Sequence, residues 1–267
     1  MPLRIQAVIT HAGSMVRHPL VRIAIILIAA SIACGLPRGA APPATVIEPT
    51  IRPLPAATSV PAGPSSSPSP AAPLAFRDDF DGALDDSWSW LNEDPSAWSL
   101  SATPGWLRIG LSQSGFLTAP PSNVLLRPAP DGDFDLRTWV RVSPSRNFEL
   151  AGLIVYFGDG AVLQFGHGFC DVSGACAGDG YYYDSLEAGS AVGGNFASAG
   201  FGGSEDLLRL VRRGNTYTAY YLVDDTTWIE VGSHMVDRAP ISVGLIAAQA
   251  PAAGTFAEFD YFETVAE

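Results

Sequence analysis

The chain has 267 residues, 47% of them hydrophobic and 16% charged, with a formal net charge of −12, a length that admits one large domain or two smaller ones. All 27 aromatic residues lie between Phe76 and Phe262, whereas 11 of the 22 prolines lie between Gly35 and Pro73, so a packed core is confined to the C-terminal part. That part carries ten arginines against 26 acidic residues, a net charge of −16, and the whole chain has no lysine; this excludes an electrostatic nucleic-acid binder and disfavours direct attraction to anionic lipid.

Residues 1–34 read as an export signal. Arg4, Arg17 and Arg22 occur without any acidic residue and precede an apolar run from Ile23 to Ala33. Eleven residues fall well short of the roughly 20 that a membrane-crossing helix needs. The run ends in Ser31-Ile32-Ala33-Cys34, which resembles the lipobox of bacterial lipoproteins and implies lipidation of Cys34 and a cell-surface or membrane-anchored protein; Ser31 stands where that pattern usually has Leu. The alternative is ordinary secretion with cleavage after a small residue. Residues 35–75 are rich in Pro, Ala and Ser and nearly uncharged, as expected of a disordered spacer with no surface to bury. In extended polyproline-like form, at about 3.1 Å per residue, such a spacer reaches on the order of 100 Å.

From residue 76 to 267 the expected class is all-β. Phe134, Leu136, Thr138, Val140 and Val142 alternate with Asp135, Arg137, Trp139 and Arg141, the period-two pattern of a half-buried strand. Comparable runs occur at 106–111, 124–127, 150–157, 161–165, 181–186, 207–213, 217–223, 227–231, 241–248 and 255–265. Asp159-Gly160 and Gly214-Asn215 sit where hairpin turns want positive φ. More than ten strands without a helical stripe predict two packed antiparallel sheets. Cys170 and Cys176 predict a local disulfide in a Gly-rich loop, fitting export; the alternative joins both thiolates with His167 around a metal.

Three ordered stretches carry a family pattern. The first is Phe76-Arg-Asp-Asp-Phe-Asp-Gly82 with Leu84-Asp-Asp-Ser-Trp-Ser-Trp90, and the second is Asp94-Pro-Ser-Ala-Trp-Ser-Leu100 with Pro104-Gly-Trp-Leu-Arg-Ile109. The third runs from Leu208-Arg-Leu210 through Asn215-Thr-Tyr-Thr-Ala-Tyr-Tyr221, Thr227-Trp-Ile-Glu-Val231 and Val243-Gly-Leu245 to Phe259-Asp-Tyr-Phe262. Together they resemble the concanavalin A-like (laminin-G-like) sandwich appended to family-43 β-xylosidases and found in DUF1349-type bacterial domains. The resemblance implies a jelly-roll β-sandwich. In those xylosidases the module packs on a propeller that holds the catalytic carboxylates; beside leader and spacer no propeller is expected here, so function must be argued from the site.

Three candidate sites follow. Glu258-Phe-Asp260-Tyr-Phe-Glu263 matches the E-x-D-x-x-E pattern of some family-16 glycoside hydrolases, a retaining chemistry that needs two carboxyl groups roughly 5–5.5 Å apart. On a regular strand Glu263 points away from Glu258, and only a β-bulge would return it. Asp79 and Asp260 could hold a structural Ca²⁺ where first and last strands meet, as related sandwiches do, or belong to a solvated acidic turn; no other cofactor is expected. Trp139, flanked by Arg137 and Arg141 on the polar face of its strand, suits a sugar-stacking platform, with Tyr181 and Tyr183 on the same side. These readings favour a non-catalytic, surface-tethered, lectin-like domain that binds a polysaccharide or other glycan. The rivals are a family-16-like glycosidase and a module docking on an envelope protein.

Overall fold

The computed structural model describes residues 74–174, 176–200 and 203–266. The export signal, Cys34 and all but the last two residues of the expected spacer lie outside them. Sixteen strands follow one another: β1 (Leu74–Asp78), β2 (Ser89–Leu91), β3 (Trp98–Thr103), β4 (Trp106–Gly110), β5 (Val124–Pro128), β6 (Phe134–Arg141), β7 (Leu150–Gly158), β8 (Ala161–Cys170), β9 (Gly178–Glu187), β10 (Ser190–Ala191), β11 (Phe196–Ala199), β12 (Glu205–Arg213), β13 (Thr216–Leu222), β14 (Trp228–Met235), β15 (Ser242–Ala248) and β16 (Phe256–Ala266). No helix occurs among the described residues. The strands form two antiparallel sheets. The first runs β14-β13-β12-β6-β16-β4-β3, with β1 on the C-terminal half of β16; the second runs β10-β9-β8-β7-β15-β5-β2, with β11 on β9.

The alternation expected of β6 is observed. Phe134, Leu136, Thr138 and Val140 are fully buried between the sheets, and Trp139 is 37% exposed on the other side. The interior is filled by Leu107, Phe259 and Phe262 of the first sheet against Leu153, Phe165 and Leu245 of the second. The turn residues behave as their chemistry requires: Asp159 and Gly160 both adopt positive φ, and so does Gly214 of the β12–β13 turn.

Two features escape simple alternation. In the second sheet Leu150–Val155 is buried at every position, because a second apolar cluster of Val124, Leu126, Ile154, Val162 and Ile246 lies on its outer face under Phe116. The 111–123 connection thus covers part of that sheet. The interior also contains an ionic group. His167 Nδ1 lies 2.7 Å from Asp206 and Nε2 lies 2.6 Å from Asp179, and the Tyr181 hydroxyl donates to the other Asp206 oxygen. Burial opposes a charged ring, but the hydrogen bonds and charges of Asp206 and Asp179 outweigh it and raise the imidazole above its ordinary value. The two carboxylates thus favour the charged ring, the form that can donate from both nitrogens.

Leu136→Ala is expected to cost about 2–5 kcal/mol in urea unfolding, since it empties a sealed interior site. The His167 pairing stabilises the fold fully below the ordinary value of 6.5 and loses that contribution as pH rises through the raised folded value. The stability deficit of His167→Gln should accordingly shrink as pH rises above 6.5. A deficit independent of pH would mean that the ring is neutral.

Candidate functional site

Strands β6 and β16 place most of the candidate residues. They pair from Glu258↔Arg141 and Phe259↔Val140 to Tyr261↔Trp139 and Glu263↔Arg137, with a register shift that leaves Asp260 as the extra residue. That bulge is what an E-x-D-x-x-E strand needs. It turns Phe259 and Phe262 into the core and returns Glu258, Tyr261 and Glu263 to the outer face beside Arg141, Trp139 and Arg137.

The carboxylates are not free once there. Glu258 accepts from Arg108 Nη2 at 2.7 Å, Arg108 Nε at 3.0 Å and the Thr103 hydroxyl, and its other oxygen lies 3.3 Å from Arg141 Nη1. Glu263 lies 2.8 Å from Arg77 and 3.7 Å from Arg137. Burial alone would raise the Glu258 carboxyl, but Thr103, Arg108 and Arg141 hold it below the usual glutamate range. The lattice continues through Asp135, which is buried although it lies on the polar face: Arg137 and Arg209 reach it at 2.8 and 2.7 Å. Arg141 also meets Glu205 at 2.7 Å and lies 4.2 Å over the Trp106 ring. Trp139 stands at the centre, on an open face between two arginines whose positions are fixed.

Asp79 is engaged by Arg77 at 2.6 Å. The Asp260 carboxyl is raised first by burial, with Asp79 and Asp81 adding to the effect, so the three acidic groups share a neighbourhood. Among the described residues, however, no three His, Cys, Asp or Glu side chains converge as metal ligands. The Cys170–Cys176 disulfide removes both thiolates from a site with His167, whose ring nitrogens are already taken by Asp206 and Asp179.

Tyr181 and Tyr183 correct the sequence reading. They are 3% and 0% exposed in the core between the sheets, where Tyr181 stacks on Tyr221. Neither shares a face with Trp139. In three consecutive tyrosines the phase of alternation is ambiguous, and it is Tyr182 that faces outward. Tyr182 lines a cavity of about 240 Å³ on the outer side of the second sheet, with Leu117, Phe148, Gln164, Val172 and Asp184 among its walls. No motif marks that cavity, because its residues come from at least six separate stretches of the chain.

Comparison with known proteins agrees with the architecture. No curated protein matches the chain. Among solved structures, the GH43 BlXynB protein of Bacillus licheniformis superposes with a TM-score of 0.62 at 20% identity, covering 72% of this chain and 39% of that one. Xylan beta-1,4-xylosidase of Bacillus halodurans superposes with a TM-score of 0.59 at 20% identity over 77% of this chain and 41% of that one. The Bacillus licheniformis beta-glucanase shares only the fold, with a TM-score of 0.51 at 9% identity over 72% of this chain and 98% of that one. The chain therefore spans about two fifths of each of these two GH43 proteins. The family model described as the beta-xylosidase C-terminal concanavalin A-like domain matches residues 77–264, and the chain belongs to that family.

Proposed function

We propose that the sandwich is a non-catalytic module that contacts carbohydrate outside the cytoplasm, with Trp139 as a stacking platform. The observation that carries this is the ring itself, 37% exposed at the centre of the first sheet's outer face, with Arg137 and Arg141 held on either side by Asp135, Glu205 and Glu258. An aromatic face with pre-ordered donors beside it loses little entropy on meeting a sugar ring. The face is open, which suits lateral contact with a polymer rather than enclosure of a small molecule. Matched proteins whose names speak of xylan and xyloglucan guide the choice of probes.

The glycosidase reading has one feature in its favour, the bulge that brings Glu258 and Glu263 to one face. The arginines oppose it by occupancy: Arg108, Arg141 and Thr103 take up the Glu258 oxygens that would have to attack a sugar carbon, and Arg77 and Arg137 lie on Glu263. For the chain as a whole we propose export, with Cys34 as the site of a lipid anchor and residues 35–75 as the spacer. Mass spectrometry of the mature N-terminus should show an acylated Cys34; an unmodified N-terminus would reject the anchor.

Trp139→Ala should weaken binding to soluble xylan or xyloglucan roughly tenfold, the size of one lost stacking contact, in calorimetric titration, while the protein releases no reducing sugar from either. Sugar release abolished by Glu258→Gln would instead establish the glycosidase. The Glu258 ion pairs stabilise the fold above the ordinary glutamate value of 4.5 and fade as pH falls through the lowered folded value. The stability gap between wild type and Glu258→Gln should therefore be largest at neutral pH and close in acid, as read by thermal melts.

A further inference from the structure

We propose that the cavity on the outer face of the second sheet, opposite the Trp139 face, is a separate subsite for the end of a neutral saccharide. The proposal rests on the carbohydrate-contacting reading above and assigns it a second place on the molecule.

The cavity lies where the 111–123 cover ends and leaves β8 and β9 open. Gln164 and Asp184 are register partners on those strands and form its polar floor. Gln164 is 3% exposed and donates from Nε2 to Asp184 at 3.2 Å. Among the described residues that is the only side-chain partner of Asp184, and no arginine lines the cavity. Burial pushes this carboxyl up, with only Gln164 working against it. Elsewhere on the sandwich buried acids are met by arginine or histidine, as Asp135 and Glu149 are by arginine and Asp206 is by His167. Asp184 is only partly buried and keeps acceptor capacity toward the cavity that it lines, where hydroxyl groups could complete its shell.

The rim points to the other half of a sugar's chemistry. Of nine large apolar side chains exposed among the described residues, three surround this one opening: Leu117, Phe148 and Val172. Phe148 is 51% exposed and holds a φ of +73°, a left-handed conformation that costs a bulky residue energy and persists only where the surroundings enforce it. They do so here. The Phe148 amide donates to the Phe169 carbonyl at 2.8 Å, and Glu149 next to it accepts from the amides of Ser145 and Arg146, the Arg146 guanidinium and the Thr255 hydroxyl. On the far side the Cys170–Cys176 bridge and the Tyr182 hydroxyl, which donates to Gly178 and accepts from the Ala177 amide, fix the loop that carries Val172.

An apolar rim around an amide and a carboxyl is the combination that takes the C–H face and the hydroxyls of a sugar. With no cation in the walls and an acid at the base, anionic sugars and phosphate esters are rejected. A volume near the lower end of ligand pockets, roughly 300 Å³, fits a chain end rather than a long stretch of polymer.

The test is titration of the full chain with xylotriose, with trigalacturonic acid as the anionic control. Phe148→Gly removes the ring while suiting the left-handed backbone, and Asp184→Asn exchanges an acceptor for a donor. Each should weaken xylotriose at least tenfold with thermal stability retained, whereas Met235→Ala, at an exposed position outside the cavity and away from Trp139, leaves this binding unchanged. Xylotriose held by wild type and by both cavity variants with equal affinity would overturn the subsite and leave the carbohydrate reading standing. Preference for trigalacturonic acid would also overturn it. Failure of the wild-type chain to bind xylotriose, xylan or xyloglucan would overturn both.

Discussion

One residue sets the chemistry of the first sheet. A strand's side chains alternate with period two, so an insertion of one residue exchanges its faces. Asp260 is that insertion in β16. With it, Phe259 and Phe262 both reach the core, while Glu258, Tyr261 and Glu263 all face outward next to Arg141, Trp139 and Arg137 of β6. Without it, residues 261–265 would exchange faces, placing Phe262 in water and Glu263 among the phenyl rings. The core of the sandwich and the ion lattice on its surface thus depend on the same kink, and the lattice in turn fixes the arginines around Trp139.

Much of this was legible in the residues because β6 is half-buried and its two faces differ sharply in polarity. Phe134 to Arg141 could be read in only one phase. The Glu258–Glu263 stretch could not: with aromatic and acidic residues interleaved, a bulge and a regular strand make equal sense until the partner strand is known. Tyr181 to Tyr183 is ambiguous for a related reason: three identical residues carry no phase, so the inward pair reads as readily outward. Leu150–Val155 hid its alternation because both of its faces are covered, one by the first sheet and one by the 111–123 segment. The cavity over β8 and β9 was invisible because its residues are distant in sequence and individually ordinary.

The net charge also changes meaning once its placement is known. The domain is strongly acidic, yet its first-sheet face is locally balanced: Arg77, Arg108, Arg137, Arg141 and Arg209 each meet a carboxylate there. Several of these guanidinium groups also lie over rings, Arg77 at 3.8 Å from Tyr261 and Arg108 at 4.2 Å from Phe256, which leaves flat stacked planes rather than mobile charges on the surface. The cavity on the opposite face has no arginine at all. The two outer faces therefore offer different chemistries to an uncharged partner, one a pre-ordered planar platform and the other an apolar mouth over an acid.

That contrast bears on why a fold shared with a beta-glucanase need not share its reaction. The strand geometry that presents carboxylates to one side is available to any sandwich of this type, and this chain possesses it. What such a reaction needs is carboxylate oxygens free to reach a sugar, and here Arg108, Arg141 and Thr103 occupy those of Glu258 while Arg77 and Arg137 lie on Glu263. On this face one set of ion pairs therefore both ties up the carboxylates and orders the surface beside Trp139.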